Sequence, residues 1–160
     1  MLSIRARVST AALALAEHYV RSGVTWTDGE LVATCIPGTL SRAAVQVRAV
    51  TATTLGTGYR LTLDAVNNQL ILERTASTVA TVAKTLTAGT SYGIRMRVIG
   101  AYVNIRVWPS AGAEPGTWDI AYVDGAPLTG DRWCIGCRAD GTNATARSAD
   151  FDDITITDGA

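Results

Sequence analysis

Between Tyr92 and Trp108 the sequence alternates with a period of two and then doubles back. In Tyr92-Gly-Ile-Arg-Met-Arg-Val-Ile99, residues Ile94, Met96 and Val98 share one side of an extended chain, and Arg95 and Arg97 share the other. Gly100-Ala101 reads as a turn, after which Tyr102-Val-Asn-Ile-Arg-Val-Trp108 returns with the same alternation. Successive side chains of a strand point to opposite faces, so this stretch is a half-buried antiparallel hairpin. Its apolar side needs a second layer to pack against.

The same signature recurs along most of the chain. Leu31–Ile36 and Ala44–Val50 flank a Pro37-Gly38 turn, and Tyr59–Asp64 leads through Val66-Asn-Asn-Gln69 into Leu70–Arg74. Further strands are expected at about Val79–Leu86, Thr117–Val123, Trp133–Arg138 and Phe151–Thr157. In the last of these Phe151 sits between Asp150 and Asp152, so one large side chain enters the core while carboxylates stay wet. Only Thr10–Val20 shows helical spacing, through Leu13, Ala16, Glu17 and Val20, and one short N-terminal helix is expected there. The fold class is therefore all-β, a two-sheet antiparallel jelly-roll sandwich. With 160 residues and no linker, there is one sandwich domain over residues 25–160, preceded by an N-terminal arm over residues 1–24.

Charge narrows the partners. The 14 basic and 14 acidic residues cancel, which argues against a nucleic-acid role, since such binding needs a basic surface. Lys84 is the only lysine, a bias that points to a GC-rich genome and says nothing about chemistry. The longest apolar stretch, Ala11–Ala16, is far short of the roughly 20 residues of a membrane span. Arg5 and Arg7 before it loosely imitate a secretory signal, but the apolar run is short and flanked by Ser and Thr.

Catalytic groups are scarce. Cys134 and Cys137 form a Cys-Ile-Gly-Cys string without a following helix; in a strand they face opposite ways and cannot bridge. These two and Cys35 are read as buried, reduced and structural. His18 is the only histidine, there is no nucleophile-elbow sequence, and Glu30, Glu73 and Glu114 stand apart rather than as a paired-carboxylate strand. No enzymatic activity is expected. Asp140, Asn143, Asp152 and Asp153 offer the hard oxygens of a calcium site, which needs six to eight of them to converge. No other cofactor is implied. Trp108 and Trp118 bracket a loop stiffened by Pro109 and Pro115. With Glu114 they form a candidate sugar-binding platform, because indole faces stack on the CH groups of pyranose rings. The alternative is that both tryptophans cap the sandwich core, as aromatics of this size usually do.

The run from Gly58-Tyr-Arg-Leu-Thr-Leu-Asp64 and Gln69–Arg74, through Tyr92–Val98, Val103–Trp108 and Glu114-Pro-Gly-Thr-Trp118, to Asp150-Phe-Asp-Asp-Ile-Thr-Ile-Thr157 carries a resemblance. It resembles the concanavalin A-like, laminin G-like jelly-roll domains of actinobacteriophage virion proteins, over about Thr25 to Asp158. That resemblance implies a non-enzymatic structural virion protein of a tailed phage, a minor tail or tail-tip component or a capsid decoration, made in the bacterial host cytoplasm. It implies other virion subunits as partners and a homo-oligomeric state, with the N-terminal arm as contact element. It also implies that calcium is sometimes held in such domains. The second reading is a carbohydrate-binding module that contacts host cell-envelope glycans. Fold analogy does not separate the two.

Overall fold

The computed structural model describes residues 6–10, 15–19, 26–39, 41–50, 56–139 and 147–159. They form strands β1 (Ala6–Thr10), β2 (Leu15–Tyr19), β3 (Gly29–Pro37), β4 (Ser41–Ala49), β5 (Tyr59–Asp64), β6 (Gln69–Arg74), β7 (Ser77–Ala83), β8 (Tyr92–Ile99), β9 (Tyr102–Pro109), β10 (Ile120–Val123), β11 (Arg132–Ala139) and β12 (Arg147–Asp158). A front sheet has the order β1-β12-β3-β8-β9-β10 and a back sheet the order β2-β11-β4-β5-β6-β7. All pairings are antiparallel. The two-sheet jelly-roll sandwich expected from the alternation is the observed architecture.

Where a helix was expected over Thr10–Val20, the described residues, Thr10 and Leu15–Tyr19, are extended. Ala6–Thr10 pairs with Phe151–Arg147 at the edge of the front sheet, and Leu15–Tyr19 pairs with Arg138–Cys134 at the edge of the back sheet. The reason is tertiary: a run this short satisfies helical spacing by chance, and two strands with free edges claim it instead. The segment expected as an arm thus contributes an edge strand to each sheet.

The inner faces meet in one core. Leu31, Ala33, Ile94, Met96, Val103 and Ile105 come from the front sheet, and Val45, Val47, Tyr59, Leu61, Leu70 and Ile135 from the back sheet. Phe151, the single phenylalanine, is fully buried among them. Its strand is bulged between Asp152 and Thr155, with Asp153 in the left-handed region at φ 50°. The extra residue restores the phase, so that Ile154 again points inward. Cys137 lies in this core while Cys134 packs with Ala44 on the opposite face, as the strand reading requires. All three cysteines are free and buried. Burial, then the neighbouring Cys137 and Asp150, push the Cys35 thiol far above the ordinary range, so it is no nucleophile.

The outer face of the back sheet carries buried polar pairs beside a buried Thr62 hydroxyl that has no hydrogen-bond partner among the described residues. Arg60 donates to Glu73 at 2.7 Å, Arg42 pairs with Asp64 at 2.9 Å, and Gln46, Thr62 and Asp64 are buried. Burial alone would raise the Asp64 carboxyl, but hydrogen bonds from Asn67 and Gln69 and the Arg42 guanidinium outweigh it and hold the group below the usual range. A carboxylate with a lowered folded pKa stabilises fully above its unfolded value, about 3.9, and loses that contribution as pH falls through the folded value. The parent is therefore expected to lose stability below about pH 4 more steeply than Asp64→Asn does. Urea midpoints taken across the acid range read this directly, and parallel curves for the two proteins would contradict it.

Candidate functional site

The outer face of the front sheet is built by register. Gly100, at φ 55°, closes the turn between β8 and β9 so that Ile99 opposes Tyr102. Counting back from that pair places Arg97 opposite Asn104, Arg95 opposite Arg106, and Gly93 opposite Trp108. All of these lie on the outer side, because Ile94, Met96, Val98, Val103, Ile105 and Val107 fill the inner one.

Two arginines directly opposite each other repel, and the sheet tolerates them only with a counter-charge. Glu114 supplies it. Its Oε1 lies 2.7 Å from Arg95 Nε and 2.9 Å from Arg106 Nη1, while Oε2 accepts from Arg95 Nη2 at 2.9 Å. Arg95 also pairs with Glu30 on β3. Burial pushes the Glu114 carboxyl up, but the hydrogen bonds and charges of Arg95 and Arg106 outweigh this and keep it anionic. A carboxylate so held is a poor general acid. The Arg106 guanidinium lies 3.7 Å above the centre of the Trp118 ring, and its Nη2 donates to the Gly116 carbonyl at 3.1 Å. Asp119 fastens the end of the loop by accepting from the Val107 amide at 2.7 Å and from Lys84 Nζ at 2.7 Å. Glu114 and Trp118 are thus fixed against the sheet.

Trp108 lies flat across Gly93. A Cβ on Gly93 would come within 2.9 Å of the indole Nε1 and closer still to the adjoining ring carbons. The indole is half-buried and does not belong to the inner core. Thr34 opposes Gly93 on β3 and Asp152 opposes Thr34 on β12, which extends one cross-strand row from the indole. Thr34 and Asp152 line a cleft of about 360 Å³ together with Ile36, Ser91, Asp150 and Asp153.

The sheet therefore brings Trp108, Trp118 and Glu114 to one side of the sandwich. Neither tryptophan caps the inner core. Of the calcium candidates, Asp140 and Asn143 lie outside the described residues. Asp153 sits at the bulge, where its amide donates to Asp152 Oδ1 at 3.0 Å. Among the described residues no three acidic, His or Cys side chains converge as a metal site. Two carboxylates do not make a calcium shell. The sequence does not single out Gly93 or Thr34, and it marks Glu30 only as an isolated acid. The signal that locates Gly93 was present: a two-residue turn at Gly100-Ala101 fixes which residue faces Trp108.

A scan against protein-family models and a search of the curated proteins found no match. Solved structures do match. A carbohydrate-binding module, CBM66 from Bacillus subtilis, superposes with a TM-score of 0.67 at 13% identity, covering 92% of this chain and 84% of that one. The Caenorhabditis elegans galectin LEC-6 gives 0.53 at 10% identity, over 92% of this chain and 95% of that one. A Bacillus subtilis protein of unknown function with a galectin-like fold gives 0.57 at 13% identity, over 96% and 88%. The fold is a galectin-like jelly roll. It is compatible with the concanavalin A-like sandwich implied by the sequence resemblance, and none of these likenesses bears on a virion origin.

Proposed function

We propose that this galectin-like jelly roll is a non-catalytic carbohydrate-binding module whose site is the outer face of the front sheet. The observation that carries this reading is the Trp108 indole laid across Gly93 on a polar face. An indole beside Arg, Glu, Asn and Thr side chains offers a sugar both an apolar platform and fixed hydrogen-bonding groups. The outer face of the back sheet instead commits Arg42 with Asp64 and Arg60 with Glu73 to ion pairs. A named carbohydrate-binding module and a galectin among the structural neighbours support the same reading. The virion-assembly role implied by the sequence resemblance draws no such support.

The test is a saccharide array with the parent and Trp108→Ala, with circular dichroism to confirm folding. Truncating the platform is expected to weaken binding about tenfold or more, the size expected for an aromatic anchor. A parent protein that retains no saccharide from bacterial, plant or animal sources would overturn the proposal.

A further inference from the structure

The two arginines nearest Trp108 are neutralised, Arg95 by Glu30 and Glu114, and Arg106 by Glu114. Arg97, on the same outer face and opposite Glu30 on β3, forms no ion pair of its own. It is exposed and has no hydrogen bond or ion pair among the described residues. It lines a groove of about 250 Å³ together with Glu30, Ile99, Thr157 and Asp158. Arg97 lies four positions along β8 from Gly93, so the guanidinium's anchor stands roughly 13 Å along the strand from the indole platform. That spacing exceeds one sugar ring and is within the reach of a short oligosaccharide.

On the reading that this face binds saccharide, we infer that the preferred ligand is an acidic oligosaccharide, with one sugar on Trp108 and a carboxylate-bearing sugar on Arg97. A guanidinium presents parallel N–H donors that match the two oxygens of a carboxylate. Arg97 can make that fork without breaking any existing bond. Glu30 is already engaged by Arg95, and Thr157 and Asp158 offer partners to ring hydroxyls beside it. The acid group of Asp158 confines the favourable position for an anion to Arg97 itself.

The experiment compares immobilised oligosaccharides of galacturonate, mannuronate and glucuronate, each matched with its carboxyl-reduced form, against the parent, Arg97→Gln and Trp108→Ala. The parent is expected to prefer the acidic member of the pair it recognises by about tenfold, as one charge-assisted contact at an exposed site allows. Arg97→Gln should remove that preference and leave the reduced form bound as before. Trp108→Ala should weaken both forms alike. Equal binding of the acidic and reduced forms, or a preference that survives Arg97→Gln, overturns this inference and leaves the saccharide site standing. Binding of no oligosaccharide in this set or on the broader array overturns both. Arg97 has no partner to lose, so folding of its variant is not in question.

Discussion

On the proposed saccharide-site reading, adding a single methyl group at Gly93 is expected to weaken binding about 30-fold or more while the sandwich stays folded. The Cβ of Gly93→Ala would occupy space now filled by the Trp108 indole. The inner face of β8 is untouched by the change, because Gly93 points outward between Tyr92 and Ile94. The side chain of Trp108 can swing away, whereas the backbone of β8, hydrogen-bonded between β3 and β9, cannot. The displaced ring then stands where a ligand would lie, so the loss should exceed that of Trp108→Ala and reach about 30-fold or more. Titration calorimetry against the best saccharide measures it, with thermal unfolding as the check on folding. A Gly93→Ala protein that binds within twofold of the parent would show that the indole's position is irrelevant to the site.

The largest stability effect is expected at Phe151. It is fully buried on β12, in register with Ala6 of β1 and Cys35 of β3. Phe151→Ala should cost about 3–5 kcal/mol, from lost burial and from the cavity left behind. Against a typical net stability of about 5–15 kcal/mol this removes about a fifth or more, and lowers Tm by on the order of 10 °C. Phe151→Leu keeps most of the volume and should cost less than about 1.5 kcal/mol. Urea unfolding of the three proteins tests the ranking. An alanine variant within about 1 kcal/mol of the parent would mean that β12 is not the packed centre of the front sheet.

The strands with clean alternation were legible because each buries one face against the other sheet. That covers Tyr59–Asp64, Tyr92–Ile99 and Tyr102–Trp108, together with the burial of Phe151. The edge strands β1 and β2 were not legible. Ala6–Thr10 and Leu15–Tyr19 find partners near the far end of the chain, and nothing local in Leu-Ala-Glu-His-Tyr announces Cys134–Arg138 as its neighbour. Trp108, Trp118 and Glu114 were singled out by type and by the loop that joins them. The role of Glu114 as counter-ion needed the register, since only the opposition of Arg95 and Arg106 explains why an acid must lie between them. Gly93 carries no chemistry of its own and was silent until its cross-strand neighbour was known.

The asymmetry between the two outer faces also bears on valency. Among the described residues the back sheet's outer charges Arg42, Asp64, Arg60 and Glu73 are consumed in ion pairs, which on the proposed reading favours the front sheet as the face offered to saccharide. Each chain would then carry a single site and behave as a monovalent reader. Firm retention on a polymeric surface would have to come from several copies held side by side. Two linked copies can gain about 10²–10⁴ in avidity without any new contact, provided their open faces point the same way.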